Sequence, residues 1–354
     1  MLRVVLSSPK KVRSSDESAG TGTCMPWGHA LLSLAVLAHT AGECADNDQN
    51  CAAWAAAGEC AKNSGFMHVT CAASCDTCDY AAEHAKLAPA SYSCEDIGED
   101  TLSAGGISAR MQAMRNMSEY SPRFLSEEPY VLLLDTFIDA EFAKEVIRVG
   151  GHDFQRSLAG FSDGVVSSRT SSTSWCNVPT CERDEVMLRL KERITRALDV
   201  PMLNTEHLQL LRYEPGQFYK HHHDQNSPVD CPAGPRVWTF FLYLSEVEEG
   251  GDTYFPHLDL SVRPKAGAAL VWPSVRDENV FADDLRTEHE ARPVLKGTKY
   301  AANFWVHLRN FQTPHAMRCG TDVVQSATAR RKAIEEARVA NGGHPDNLLN
   351  AAIQ

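Results

Sequence analysis

Six cysteines, Cys44, Cys51, Cys60, Cys71, Cys75 and Cys78, fall within 35 residues, and no other feature of the chain restricts its fold so tightly. The segment has few large apolar side chains, so it cannot bury a core of ordinary size and needs cross-links to hold a shape. Zinc is the competing reading. It is the weaker one, because the segment offers a single histidine, His68, and a single CxxC pair, Cys75 to Cys78. The spacing alone leaves the pairing of the six open. Residues 44–78 are therefore expected to form a small disulfide-rich domain, which commits the chain to an oxidising compartment.

Such a compartment requires a targeting signal upstream. Residues 30–38, ALLSLAVLA, form an apolar run followed by small residues at Thr40, Ala41 and Gly42. A bilayer span needs about 20 residues, so this run fits the core of a signal peptide instead. Lys10, Lys11 and Arg13 lie far upstream of it, and a start at Met25 would give a shorter leader without a positive charge. Residues 1–43 are read as a signal peptide, with a short signal anchor as the alternative. The expected location is the endoplasmic reticulum, lumenal or membrane-associated, with secretion as the alternative.

The rest of the chain is long enough for one large domain. Hydrophobic residues make up 43% of the 354 and charged ones 23%, proportions that exclude wholesale disorder. The net charge of −12 argues against a nucleic-acid partner. Residues 79–123, rich in Ala, Ser, Gly and acid, read as a linker, and Asn116-Met117-Ser118 within them is a glycosylation sequon.

From about 124 the texture changes. Tyr130 to Leu134 has the composition of a buried strand, and Asp139 is placed to cap a helix that runs through Val149 and stops at Gly150-Gly151. Arg183 to Leu198 is amphipathic, with Met187, Leu190, Ile194 and Leu198 on one face. Strands are then expected at 208–213, 218–224, 236–245, 261–264, 268–272 and 299–308. Short strands behind two helices predict a mainly β fold with flanking helices, a double-stranded β-helix or jelly roll, over 124–310. The tail, 311–354, holds a helical pattern from Ala327 to Ala340.

The hexapeptide Tyr219-Lys-His-His-His-Asp224 carries the chemistry. In an extended strand, residues two apart project to one side, so His222 and Asp224 share a face while His221 and His223 point away. A histidine and a carboxylate on one side are two ligands of a 2-His-1-carboxylate facial triad, which leaves coordination positions open on Fe(II). His289 is the candidate third ligand. Ten residues on, the strand beginning at Lys299 puts Lys299, Ala301, Asn303, Trp305 and His307 on one face and Tyr300, Ala302, Phe304, Val306 and Leu308 on the other. A buried lysine needs an anion. A dicarboxylate such as 2-oxoglutarate would supply one, its keto-acid end on iron and its distal carboxylate on Lys299.

These stretches resemble the prolyl 4-hydroxylase family of Fe(II)/2-oxoglutarate dioxygenases. The matching blocks run in family order: Arg169 to Ser172, Asn204 to Gln209, Arg212 to Tyr219, His222 to Asp224, Gly250 to Pro256, Arg263 to Leu270, and His289 through Pro293, Gly297 and Lys299 to Trp305. The resemblance implies that His222, Asp224 and His289 hold iron and that Lys299 binds the distal carboxylate of 2-oxoglutarate. Tyr213 and Tyr243 sit where family members contact the cosubstrate, and Arg169, Tyr219 and Trp305 where the family shapes its peptide groove. Glu290, Asn303 and His223 depart from the residues usual there, which bears on substrate preference.

The implied reaction is 4-hydroxylation of peptidyl proline in Pro-rich polypeptides, consuming O2 and 2-oxoglutarate, releasing succinate and CO2, and supported by ascorbate. The alternatives are another residue or a small molecule as substrate, or an inactive barrel kept as a binding module. The six-cysteine segment resembles the ShK toxin-like (ShKT) domain, which implies the pairs Cys44–Cys78, Cys51–Cys71 and Cys60–Cys75 and a protein ligand for that domain. Gly65-Phe66 stands where channel-blocking toxins carry a Lys-aromatic pair, so channel blockade is not expected. Cys176 and Cys181 are close enough to close a small loop. Oligomeric state is left open.

Overall fold

The computed structural model describes residues 44–317 and 319, except 88, 90, 158–167, 226 and 228–230. The signal peptide or anchor expected over residues 1–43, with the start at Met1 or Met25, and the helix expected at Ala327 to Ala340 lie outside the described residues. Among the described residues no helix is long and apolar enough to cross a membrane.

The N-terminal unit has three short helices, α1 (Cys51–Ala56), α2 (Glu59–Lys62) and α3 (Ser64–Thr70). Its core is small: Cys51, Met67 and Cys71, with Trp54 packed edge-on against Phe66. Disulfides Cys44–Cys78, Cys51–Cys71 and Cys60–Cys75 close it.

Residues 79–123 are not a linker. Helix α4 (Cys78–Leu87) leaves the disulfide-rich unit, and α5 (Gly106–Arg115) buries Ile107, Met111 and Met114 in the main core. Those three residues have helical spacing. The helix start, however, is capped from far away in sequence, because Asp277 Oδ1 accepts from the amides of Ile107 (2.9 Å) and Ser108 (3.2 Å). No local signal announces such a cap. The β unit likewise starts before 124, with β1 (Pro122–Glu127) paired antiparallel to β2 (Tyr130–Leu134).

Asp139 caps α6 (Ala140–Gly150), its side chain accepting from the Phe142 amide at 2.8 Å. After the two-residue β3 (Gln155–Arg156) and β4 (Ser172–Trp175), a single turn, α7 (Pro179–Glu182), precedes α8 (Glu185–Leu198). The long amphipathic helix therefore begins at Glu185, capped by Asp184, and not at Arg183. Met187, Leu190, Ile194 and Leu198 are all fully buried on its inner face.

The remaining strands are β5 (Gln209–Tyr213), β6 (Tyr219–His222), β7 (Arg236–Tyr243), β8 (Glu249–Gly250), β9 (Thr253–Phe255), β10 (Leu260–Val262), β11 (Ala269–Pro273), β12 (His289–Ala291), β13 (Val294–Lys296) and β14 (Lys299–His307). They form an eight-stranded sheet ordered β1-β2-β11-β7-β14-β5-β4-β3, a four-stranded sheet β10-β9-β12-β6 and a small β13-β8 pair. Helix α9 (Gln312–Ala316) ends the described chain, and a disulfide Cys94–Cys319 ties it back to the segment after α4.

The large sheet has two apolar faces. Phe240, Leu242, Ala302, Phe304 and Val306 pack with α6 and α8 on the outside. Phe241, Tyr243, Leu211, Tyr213, Leu270, Trp272 and Ala301 pack with Phe255 of the smaller sheet on the inside. The fold is thus a mainly β jelly roll buttressed by helices. The alternation expected along 299–308 is present, with Lys299, Ala301, Asn303 and Trp305 turned inward.

Candidate active site

His222 and His289 are direct cross-strand partners in the β6–β12 pair. That register brings their rings to 4.3 Å between centroids. Asp224 lies two residues beyond the end of β6. Its Oδ1 is 3.8 Å from His222 Nε2, and its Oδ2 is 3.7 Å from His289 Nε2. The strand expected over 218–224 stops at His222, so strict alternation no longer governs the next residues. His221 does point away, but His223 lines the same cleft as His222, and its Nε2 donates to the carbonyl of Asp284 (3.0 Å).

The donor set fits a hard-to-borderline divalent ion such as Fe(II). His222 Nδ1 donates to the Lys220 carbonyl (2.8 Å) and His289 Nδ1 to the Thr287 carbonyl (3.1 Å), because a carbonyl can only accept. Each ring therefore carries its free lone pair on Nε2, facing the carboxylate. Burial, and for His222 the neighbouring His289, holds both imidazoles below their ordinary pKa and so in the ligating form. Burial would push the Asp224 carboxyl up, but His289, His222, the Thr239 hydroxyl (2.8 Å) and Arg236 bring it down to about 2. Two neutral imidazoles and one carboxylate with an open side make the facial arrangement of a mononuclear iron site.

Lys299 is completely buried. Its Nζ donates to the Gly251 carbonyl (2.7 Å) and lies 5.4 to 5.6 Å from the ring centres of Tyr213, Phe241 and Tyr243. Gly250 and Gly251 both take positive φ, which turns that carbonyl inward, and a Cβ on Gly250 would lie 2.4 Å from the Pro293 carbonyl oxygen. Burial brings the ammonium down to about 7, against partial compensation from Asp252. A cation in that state suits a carboxylate. The same burial keeps the Tyr213 and Tyr243 phenols protonated, and Tyr243 Oη donates to Thr253 Oγ1 (2.9 Å).

Arg169, Tyr219 and Trp305 line a cleft of about 1220 Å3 together with His222 and Asp224. The Tyr219 ring stacks on His222 at 3.6 Å, and the Arg169 guanidinium sits 4.6 Å from the Tyr219 ring centre. Trp305 Nε1 is buried without a protein acceptor. Two contributors went unnoticed in the sequence. Thr239 could have been found as the one short polar side chain in the otherwise apolar run from Val237 to Leu242. Arg236, which donates to the Asp224 carbonyl (3.1 Å), pairs with Glu206 and covers the Trp305 ring at 4.1 Å, left no local signal. A second cluster, His221, His257 and Glu288, lies on the other side of β6. Both Nε2 atoms sit 3.0 Å from Glu288 Oε2, so hydrogen bonding accounts for it.

Fold and site together define the class. A family model described as "2OG-Fe(II) oxygenase superfamily" matches residues 208–307, and one described as "ShK domain-like" matches 43–78. The chain is 30% identical over 203 residues to "Probable prolyl 4-hydroxylase 9" of Arabidopsis thaliana, covering 51% of this chain and 70% of that one. It is 33% identical over 189 residues to human prolyl 4-hydroxylase subunit alpha-3, covering 51% of this chain and 34% of the subunit. The chain thus matches about a third of the human subunit's length. A crystal structure of a viral collagen prolyl hydroxylase from Paramecium Bursaria Chlorella virus-1, in its 2OG complex, is 29% identical, with a TM-score of 0.41 over 52% of this chain and 98% of that one.

The chain belongs to the prolyl 4-hydroxylase family of Fe(II)/2-oxoglutarate dioxygenases, and it carries an ShK-like domain at its N-terminal side.

Proposed function

We propose that the chain is a peptidyl-proline 4-hydroxylase of the secretory pathway that acts on Pro-rich polypeptides. The observation that carries this is a pair of features on the two sheets: the buried Lys299 ammonium on the inward face of the large sheet, and the His222, Asp224 and His289 cluster at the β6–β12 pair of the smaller one. One feature is a cation waiting for a carboxylate, the other a metal-ligand set with an open side. In this reading Fe(II), held by His222, Asp224 and His289, supplies the oxidative decarboxylation of 2-oxoglutarate by O2 that inserts one oxygen atom into a C–H bond.

The residues of the chain do the rest. The Lys220 and Thr287 carbonyls hold the two imidazoles in the ligating tautomer, and Thr239 orients the carboxylate. Lys299, with Tyr213 and Tyr243 around it, anchors the distal carboxylate of 2-oxoglutarate in a dry pocket. Arg169, Tyr219 and Trp305 border the place where substrate lies. The unsatisfied Trp305 Nε1 offers a donor to a peptide carbonyl. Small-molecule pockets occupy about 300–1,000 Å3, so a cleft of about 1220 Å3 leaves room for a polymer. A polyproline II segment would enter it with little ordering cost.

Five disulfides among the described residues support an oxidising compartment. Ascorbate as a supporting reductant rests on the family likeness. The test is incubation with Fe(II), 2-oxoglutarate and Pro-rich peptides. Succinate release with one oxygen atom gained on proline supports the reading, and succinate release without proline oxidation rejects the substrate assignment.

A further inference from the structure

The ShK-like unit does not hang free of the catalytic barrel. Tyr80 Oη donates to Glu182 Oε2 (2.8 Å), and Glu83 pairs with Arg183 (2.8 Å). Glu182 also binds His207 Nδ1 (2.6 Å) and lies 3.8 Å from Lys191. Glu182 and Arg183 follow directly on the loop closed by Cys176–Cys181. That loop is two-sided. Its far end grips α4, while Trp175, Asn177, Val178 and Thr180 line the cleft that holds His222 and Asp224. Facing the same cleft, from the other unit, are Cys60, Ala61, Ser64 and His68.

We infer that α2 and α3 of the ShK-like domain form the second wall of the active-site cleft and contact substrate residues that flank the reacting proline. The domain's protein ligand is thus the substrate itself, held next to the iron site. This rests on the proline hydroxylation proposed above. Three features make the wall suitable. It is rigid, because Cys60 and Cys75 are joined and the domain's core is built around disulfides. It is small-featured at Ala61 and Ser64, which leaves room for a chain to pass. It also carries an unused polar atom, since His68 Nδ1 is buried without a protein partner. A peptide long enough to reach beyond the barrel's own groove would touch it, and a very short one would not.

The test uses the full chain and two Pro-rich peptides, one of three residues and one of roughly ten, chosen so that at about 3.1 Å per residue only the longer extends well past the reacting proline. Ala61→Trp, and separately His68→Ala, are compared with the parent by the ratio of kcat/KM for the long peptide to that for the short one. The expected result is a fall of at least about tenfold in that ratio for Ala61→Trp and a smaller fall for His68→Ala. A second measurement does not depend on these variants: a long peptide with a photoreactive group several residues from its proline should label residues within 60–68. An unchanged ratio in both variants, or labelling confined to the barrel, overturns the inference while leaving proline hydroxylation intact. A parent chain that oxidises no proline in either peptide overturns both.

Discussion

His222 and His289 face each other across one pair of strands, although 66 residues separate them in the chain, and this pairing adds the third ligand to the two that the polar hexapeptide supplies. The hexapeptide's carboxylate ligand, Asp224, comes from the turn just past the strand. Replacing His222 with Ala should leave thermal unfolding nearly unchanged, because the ring lines the cleft and its contacts, the Tyr219 stack, the Lys220 carbonyl and the His289 ring, all lie at that cleft and not in the apolar core. Metal affinity should fall by more than the 10- to 100-fold typical of losing a supporting residue. Metal stoichiometry after dialysis, read beside a melting curve, checks this, and retained stoichiometry would refute the ligand assignment.

Lys299 makes the cosubstrate's affinity depend on pH. Burial, only partly offset by Asp252, brings its pKa down to about 7, and a bound carboxylate favours the charged form, so binding takes up a proton above that pH. Affinity for 2-oxoglutarate should therefore be flat below about pH 7 and weaken towards tenfold per unit above it. Calorimetry in two buffers of different ionisation heat reads the proton uptake directly. Lys299→Ala should lose about 2–5 kcal/mol of binding and the pH dependence with it.

Docking of the ShK-like domain has its own pH window. Burial pushes the Glu182 carboxyl up, but His207, Lys191 and Tyr80 pull it down to about 2 from 4.5. The folded state thus prefers the ionised form. Its contribution is complete above about pH 4.5 and is lost as pH falls towards 2. The parent should be more stable than Glu182→Gln by on the order of a few kcal/mol at neutral pH, and the gap should close near pH 2. Parallel melting curves across that range decide it; a gap that persists at low pH would show that Glu182 acts by packing alone.

Cys94 and Cys319 close a loop of 225 residues that joins the segment after α4 to the end of α9. Cys94→Ser should lower stability by about 2–5 kcal/mol, mainly by freeing the unfolded chain. Denaturant unfolding of the variant against the parent measures this, each curve fitted with its own slope, which should be steeper in the variant because its unfolded chain is less compact.

Much of this protein is legible in the sequence wherever the signal is a local period. Alternation along 299–307 placed Lys299 and Trp305 inward and Phe304 and Val306 outward, because neighbouring side chains of a strand must take opposite faces. The stripe of Met187, Leu190, Ile194 and Leu198 and the cap at Asp139 followed in the same way from helix geometry.

Tertiary structure decided what depends on partners distant in the chain. The α5 start is capped by Asp277, the Cys94–Cys319 link spans most of the molecule, and Asp224 reaches its ligands from beyond a strand that ends early. The same holds for Arg236 over Trp305 and for the ShK-like domain against the cleft. Sequence by itself determined which residue types are present and which face of an element each occupies, since both are set within a few peptide units. Which faces meet was settled only when the sheets closed on one another, because that choice depends on burying apolar area and satisfying polar groups across the whole fold.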